Sequence, residues 1–327
     1  MDCPFRTVLF LIATISMVRL KHYILLFLKG MSMGAADVVP GVSGGSIALI
    51  TGIYEKLLDS IKSVDKQALH FLFKGEFKAL WQHVNGSFLL TLLGGILTSI
   101  FTLSKLITHL MEDHPIPLWS FFCGLILISA VIILRDIKNW SLVVIFSILL
   151  GTGFAYWVTG LPPIGSPDAL WFVFVAGVIA ICAMILPGIS GSFLLLILGQ
   201  YERILQAVSE KNIILLGLFA SGCVVGILSF SRLISYLLRN FHAVTIGLLS
   251  GFMLGSVNKI WPWKKVISYR MSSSGIQKPF LTENILPQHY LEVTGEESLF
   301  LYALLAFLFG IVLVLGIERT ANYISRS

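Results

Sequence analysis

Two short runs of proline, glycine and serine interrupt apolar stretches of this chain, and their residue types suit the binding of an anion. The first run reads PGVSGGS over residues 40–46, and the second reads PGISGS over residues 187–192. Each run opens an apolar segment, and the first turn of a helix leaves backbone N–H groups free at its positive end. Glycine lets a ligand approach the backbone, and serine adds a hydroxyl donor. We therefore expect each run to favour a phosphate or carboxylate.

The residues expected to bind this anion are the small residues of the two runs: Ser43, Gly44, Gly45, Ser46, Ser190, Gly191 and Ser192. Proline lacks an N–H donor and glycine is unusually free, so the helix is expected to break at Pro40, Gly41, Pro187 and Gly188. A structural interpretation remains open, in which the glycines allow close helix packing and the serines cap helices. Neither run is a P-loop, because no Gly-Lys-Ser/Thr follows.

A few charged residues lie near these runs, where each charge at mid-bilayer costs about 2.5–3.5 kcal/mol. The acidic residues expected to serve ion coupling or a charge relay are Asp37, Glu55 and Glu202. The basic residues expected to attract an anionic headgroup are Lys56, Lys105, Arg203 and Arg232. Three alternatives stay open. Asp37 could cap a helix, and each glutamate could form an interfacial ion pair with the basic residue that follows it. The side chains of Lys105 and Arg232 could extend to the membrane interface. An ion bound at these carboxylates is expected to be a proton or a sodium ion, and no other cofactor is expected.

The composition excludes most other classes of protein. Hydrophobic residues make up 56% of the 327 residues and charged residues only 12%, about half the share in a soluble domain. The net charge of +6 is too small for a nucleic-acid-binding surface, so no nucleic-acid partner is expected. The four cysteines and seven histidines show no C-x-x-C or H-E-x-x-H spacing, so no metal or catalytic residues are predicted. The chain reads as a multi-pass membrane protein.

The two runs belong to an internal repeat. Residues 40–58 align with residues 187–205 without a gap, and ten of the 19 pairs are identical, including proline, glycine, serine, tyrosine and glutamate. The match resumes downstream, where SKLI at residues 104–107 aligns with SRLI at residues 231–234. The sequence therefore predicts two copies of one structural unit.

Each copy is expected to contain an interrupted hairpin and three membrane-spanning helices. Residues 1–20 are read as an N-terminal extension or anchor. The remaining expected boundaries are repeat 1 over 21–160 (hairpin 23–58; helices about 88–110, 118–134 and 140–158) and repeat 2 over 161–327 (hairpin 170–205; helices about 213–238, 243–257 and 299–317).

The hairpins are expected to be re-entrant. Their arms of about 16 residues would each reach about 24 Å, less than the roughly 30 Å of a full crossing. The alternative is a pair of kinked full-length helices. A re-entrant hairpin adds no crossing, so three further helices would invert the second copy, as in secondary transporters with a binding site at the midplane. The predicted fold is thus all-α with two inverted repeats. Inversion would place one basic loop outside, against the positive-inside rule, whereas a parallel arrangement of the repeats would place it inside: Lys259, Lys264, Lys265, Arg270 and Lys278.

The sequence resembles one known family in these motifs. GAADVVPGVSGGSIALITGIYEKLL, from Gly34, and its echo ILPGISGSFLLLILGQYERIL, from Ile185, are similar to the bacterial polyprenyl-phosphate transporter family, formerly a domain family of unknown function. The resemblance covers about residues 29–317. It implies a non-enzymatic flippase in the cytoplasmic (inner) membrane that returns undecaprenyl phosphate from the outer to the inner leaflet for peptidoglycan and other envelope polymers.

The resemblance implies a polyprenyl-phosphate lipid as substrate, with membrane lipids as surroundings, and it leaves the oligomeric state unknown. Two other functions stay open on the residues alone. An ion-coupled secondary transporter of a small anionic solute could use the same hairpins. A membrane lipid-phosphate phosphatase would need a nucleophile with His or Arg partners, and the histidines lie far from the serine runs in sequence.

Overall fold

The computed structural model is an almost wholly helical chain with six helices of membrane-spanning length in its described part. The structure describes residues 4–39, 42–163, 167, 169–271 and 277–326. The six long apolar helices are Gly86–Asp113, Pro115–Arg135, Leu142–Thr159, Ile213–Asn240, His242–Ile260 and Phe300–Arg319. Each overlaps one of the six helices predicted from the sequence. The expected all-α, multi-pass class is therefore confirmed.

The two parts of the chain share a common order of elements, apart from two extra short helices in the first and a two-stranded ribbon with a short helix in the second. The first half contains α1 (Pro4–Val38), α2 (Gly44–Ile50), α3 (Tyr54–Lys62), α4 (Lys66–Phe73), α5 (Phe77–His83), α6 (Gly86–Asp113), α7 (Pro115–Arg135) and α8 (Leu142–Thr159). The second half contains α9 (Leu170–Ile185), α10 (Gly191–Ile197), α11 (Tyr201–Ser209), α12 (Ile213–Asn240), α13 (His242–Ile260), β1 (Lys264–Met271), β2 (Gln277–Asn284), α14 (Tyr290–Thr294) and α15 (Phe300–Arg326).

Helix α1 passes through the position where the sequence suggested a boundary. It runs without a break from Pro4 to Val38 and so crosses residue 20, the expected end of an extension or anchor. The physical reason is simple: residues 5–29 contain no proline or glycine that would stop a helix.

Both interrupted segments fold back on themselves. In the first, Lys29 Nζ of α1 donates to the carbonyl of Thr51 at 2.7 Å, which ties the end of α2 back to the first arm. In the second, a Cβ added at Gly191 would lie 2.5 Å from the carbonyl of Ala180, so α10 returns along α9. Each hairpin therefore brings its two arms together, and in the second hairpin the break at Pro187 and Gly188 lies between them.

The second arm of each hairpin is shorter than expected. The sequence suggested one arm of about 16 residues, but α2 and α10 have seven residues each, or about 10 Å. The arms are interrupted at Gly52 and Gly199, which occupy equivalent repeat positions and have φ of +70° and +66°. These left-handed conformations suit glycine and redirect the chain into α3 and α11.

Two kinds of helix pair organise the bundle. Helix α1 packs along α6, and α9 packs along α12. The other four long helices form a central group, because α7 packs on α15, α8 packs on α13, and α7 also packs on α13. The last helix of each half therefore lies against the middle long helix of the other half.

The two ends of the bundle differ. We call the end that carries α3–α5 the α3 face. There Lys56 lies 4.8 Å from the ring centroid of Phe88 at the start of α6, while Asp59 pairs with Arg239 at the end of α12 at 2.9 Å. Since α7 begins two residues after α6 ends, and α6 is about 42 Å long, α7 starts at the opposite end.

That opposite end, the ribbon face, carries a two-stranded antiparallel ribbon in which Lys264 pairs with Asn284. The ribbon is attached to the bundle by tryptophan side chains. Trp263 Nε1 donates to the carbonyl of Ser298 at 2.8 Å, and Trp261 Nε1 donates to the carbonyl of Ile285 at 2.9 Å. The sequence analysis did not predict these strands, which are a small exception to the all-α architecture.

Candidate functional site at the two helix breaks

The two helix breaks contact each other although about 140 residues separate them. Ser46 Oγ accepts a hydrogen bond from the Gly188 amide at 2.8 Å. Ser43 Oγ donates to the carbonyl of Met184 at 3.2 Å. The break residues Pro40 and Gly41 lie outside the described residues. The described parts of the two predicted tips are therefore brought together at one place.

A tyrosine that the sequence analysis did not assign to the site strengthens this contact. Tyr54 at the start of α3 is buried, and its hydroxyl donates to the carbonyl of Ile185 at 3.1 Å. The signal in the sequence was its repetition, because Tyr54 and Tyr201 occupy equivalent positions. Ile185 ends α9, so its carbonyl is one of the free acceptors at a helix C-terminus.

The breaks lie between the two ends of the bundle. Gly34, four residues before the end of α1, approaches Ile96 near the middle of α6. In the second half, Gly226 near the middle of α12 approaches Val178 and Ile181 of α9. The packed helices run in the same direction and each break follows these contacts by at least six residues, so each break lies past the midpoint of its long helix and before that helix ends.

At the first break, the amide donors already have partners within the protein. Asp37 Oδ1 accepts from the Gly44 amide at 2.7 Å, and Ser43 Oγ accepts from the Gly45 amide at 3.1 Å. A Cβ at Gly44 would lie 2.5 Å from Asp37 Oδ2, so glycine is needed for this approach. Asp37 and Ser43 therefore cap α2, which is the structural alternative considered for both residues.

The second break leaves its donors available. Ser190 Oγ lies 2.8 Å from Ser192 Oγ and does not cap α10. Among the described residues, no acceptor lies within hydrogen-bonding distance of the amides of Gly191 and Ser192. Ser192 is exposed, whereas Gly191 is buried against Met184, which is 44% exposed. The donors open to a ligand thus lie on the second break.

Gly188 shapes the second break. Its φ is +86°, and an added Cβ would lie 2.8 Å from the carbonyl oxygen of Phe252 and 2.9 Å from Ser256 Oγ, both in α13. Pro187 beside it is fully buried. The break is therefore pressed against the central helix group, and its shape depends on glycine.

The other predicted charged residues lie away from the breaks. Glu55 Oε1 lies 3.3 Å from His242 Nε2, and Lys56 lies over Phe88, both at the α3 face. Arg203 Nη1 donates to the carbonyl of Pro167 at 3.1 Å. The remaining three are exposed on α6, α11 and α12: Lys105, Glu202 and Arg232.

A cavity of about 350 Å³ opens at the ribbon face, and the sequence analysis did not predict it. We call it the ribbon-face cavity; it is lined by Tyr156, Thr159, Gly160, Leu161, Pro163, Phe193, Leu196, Asn258, Lys259, Lys264, Thr282, Glu283 and Asn284. The sequence analysis treated its two lysines only as loop charges. No group of three His, Cys, Asp or Glu side chains suited to a metal ion occurs in the part of the chain that the structure describes.

Known proteins match most of the length of this chain. The family described as VCA0040-like, undecaprenyl phosphate translocase-like, matches residues 33–278. A polyprenyl-phosphate transporter of Vibrio cholerae is 48% identical over 301 residues, which are 92% of this chain and 98% of that protein. A polyprenyl-phosphate transporter of Staphylococcus aureus is 34% identical over 254 residues, covering 72% of this chain and 85% of that protein.

A further match covers only a minor part of the chain. An antiholin-like protein LrgA of Bacillus cereus is 29% identical over 119 residues, which cover 35% of this chain. No solved structure matches. The full-length similarity and the family match, which includes both breaks, are decisive: the chain belongs to the VCA0040-like, undecaprenyl phosphate translocase-like family.

Proposed function

We propose that this protein is a polyprenyl-phosphate transporter that returns undecaprenyl phosphate from the outer to the inner leaflet of the bacterial cytoplasmic membrane. The relatives that match along most of the chain carry the name of polyprenyl-phosphate transporter. The observation that carries the proposal is the contact between the two helix breaks within the bundle, joined by Ser46 and Gly188.

The physical demand of this transport is confined to the headgroup. The prenyl tail gains about 0.8 kcal/mol per buried CH₂ and stays in the lipid throughout. The phosphate cannot cross hydrocarbon without partners for its charge and hydrogen bonds. A protein therefore needs only to offer donors at mid-bilayer, open sideways to the lipid.

The proposed phosphate site is formed by the serines and glycines of both breaks. The second break contributes donors directly, since the Gly191 and Ser192 amides have no acceptor among the described residues. At the first break, a phosphate would compete with Asp37 for the Gly44 amide. The Asp37 carboxylate and the substrate phosphate would then accept a hydrogen bond from the Gly44 amide alternately.

This competition motivates a coupling role for Asp37. Release of the Gly44 amide would leave the carboxylate without a partner at mid-bilayer, where a proton or a sodium ion would neutralise it. An Asp37→Asn variant should then keep the fold but lose dependence of transport on an ion gradient. Unchanged gradient dependence in this variant would exclude Asp37 as the coupling group.

We also propose that the two halves are inverted relative to each other. At the α3 face, α3 touches the start of α6 and the end of α12, which occupy equivalent places in the two halves. Helices α8 and α13 come from different halves and run in the same direction, as Gly151 approaches Leu248 while Gly255 approaches Thr152. Two inverted copies would produce both relations.

Uptake of labelled undecaprenyl phosphate into proteoliposomes tests the proposal. Ser43→Ala and Ser190→Ala should abolish uptake without loss of folding, and Ser99→Ala, a buried serine of α6, serves as the matched control. Normal uptake by both tip variants would exclude the proposed site. Competition by a water-soluble anion would instead favour the solute-transporter alternative, and phosphate release by the pure protein would favour a phosphatase.

A further inference from the structure

The ribbon-face cavity holds two lysines that have no carboxylate partner in the part of the chain that the structure describes. Both Lys259 and Lys264 are half-buried, and among the described residues no carboxylate oxygen lies within 4.0 Å of either ammonium group. Glu283 also lines the cavity but is exposed and forms no described ion pair. Two partly desolvated positive charges in one cavity oppose each other, and an anion between them would relieve that cost.

The two ammonium groups are held in place by their surroundings. Lys259 Nζ lies 4.3 Å from the ring centroid of Phe193, and Lys264 Nζ lies 4.7 Å from that of Trp119. Lys264 also donates to the carbonyl of Lys259. Cation–π contacts of this kind fix a side chain while leaving N–H donors free for a ligand.

Hydrogen bonds hold the rim of the cavity. Asn284 Nδ2 donates to both the carbonyl and the side-chain oxygen of Asn258, each at 2.8 Å. Asn258 Nδ2 in turn donates to Thr159 Oγ1 at 3.2 Å. This chain of bonds links the ribbon, α13 and α8, so the cavity is a built feature of the fold.

The cavity adjoins both the lipid and the second break. Tyr156 on its wall is 61% exposed on α8, a membrane-spanning helix, so this side opens towards lipid. Phe193 and Leu196 of α10 form another wall. Phe193 directly follows Ser192, whose exposed side chain and amide belong to the proposed phosphate site.

The distribution of basic residues indicates which face of the protein lies on the cytoplasmic side of the membrane. The α3 face carries four lysines between α3 and α5, which the positive-inside rule places in the cytoplasm: Lys62, Lys66, Lys74 and Lys78. The ribbon face is then external. Lys259 and Lys264 violate the rule as loop charges, but as cavity residues they would meet a headgroup in the outer leaflet.

From this geometry we propose that the ribbon-face cavity is a loading site for a phosphomonoester headgroup from the outer leaflet, bound by Lys259 and Lys264 before transfer to the second break. The proposal rests on the proposed function and adds to it the place where the substrate enters. The recognised chemistry is a phosphate monoester or free phosphate, and lateral opening to lipid favours the former.

Binding to the full chain in phosphatidylcholine nanodiscs tests the loading site. The probes are farnesyl phosphate, farnesol and inorganic phosphate, and the variants are Lys264→Gln, Lys264→Arg and the neighbouring exposed control Lys265→Gln. We expect Lys264→Gln to weaken farnesyl phosphate binding at least tenfold. Lys264→Arg and Lys265→Gln should remain within threefold of the unmodified protein, and farnesol should not bind at the cavity.

Each result of the binding experiment supports or overturns the proposed loading site. Equal affinity for inorganic phosphate and farnesyl phosphate would overturn the lipid assignment, and unchanged binding in Lys264→Gln would overturn the site itself. If Lys264→Gln unfolds, a parallel Lys259→Gln variant must show the same loss, and normal binding there would also overturn the proposal. A transport assay separates failure of the proposed function from failure of the loading site. If the unmodified protein does not move polyprenyl phosphate, the proposed function is wrong. If the lysine variants transport normally at limiting substrate, only the loading site is wrong.

Discussion

Replacing Ser46 by alanine removes the hydrogen bond that joins the two helix breaks. Ser46 is fully buried, and its Oγ is the acceptor that the described residues offer to the Gly188 amide, at 2.8 Å. A buried donor left without a partner costs about 1–3 kcal/mol. We therefore expect Ser46→Ala to lower the free energy of unfolding by about 1–3 kcal/mol and to reduce transport, because the contact between the breaks loosens.

The matched control is Ser99→Ala in α6. Ser99 is equally buried, but its Oγ has no hydrogen-bond partner among the described residues. The same atom is removed without orphaning a donor, so we expect a change smaller than about 0.5 kcal/mol or a slight stabilisation. Equilibrium unfolding in mixed detergent–SDS micelles measures both variants. Equal losses for Ser46→Ala and Ser99→Ala would refute the argument that this hydrogen bond holds the breaks together.

Two further predictions concern the second break and the ribbon-face cavity. Gly188→Ala should lower the unfolding free energy by more than about 1 kcal/mol, since φ of +86° disfavours alanine, whereas Gly153→Ala on open space should be neutral by thermal unfolding. Burial, together with the nearby Lys259 charge, lowers the pKa of Lys264 to about 7, and exposed Glu283 is the other charged group lining the cavity. Lys264 loses its charge as pH rises through 7, so farnesyl phosphate affinity should fall between pH 7 and 8.5; a similar fall in Lys264→Arg would contradict this cause.

Hydropathy and repetition were sufficient to predict the long helices and the two interrupted hairpins. The six spans follow from continuous apolar length, which a bilayer imposes on any crossing helix. The contact between Ser43 and Met184 was not predicted, although two equivalent interruptions within the membrane have few other partners for their backbone groups.

Capping at the first break was harder to predict. The sequence left Asp37 open between a coupling role and a capping role, and only coordinates show its bond to the Gly44 amide, seven residues away. The repeat itself obscured the asymmetry, because the equivalent position in the second half is Met184. Equivalent sequence therefore did not imply equivalent hydrogen bonding.

The ribbon and its cavity could not be read from local pattern. In β1, the side chains of Ile267 and Tyr269 are 53% and 60% exposed. The strand therefore lacks the buried apolar face whose alternating pattern would have predicted it. The ribbon depends on distant attachments such as Trp263 to Ser298. The lysines of the cavity come from α13 and β1, and their convergence on Phe193 and Trp119 is a tertiary property.

The exchange of last helices between halves restricts how the molecule can move. Separating the halves as two rigid blocks would break the contacts of α7 with α15 and of α8 with α13, and both of these interfaces are extensive. Displacements that keep these four helices together involve the α1–α6 and α9–α12 pairs, which touch the central group much less. Any movement that accompanies transport is therefore expected to displace the α1–α6 or α9–α12 pair against the four central helices, and not to separate the two halves.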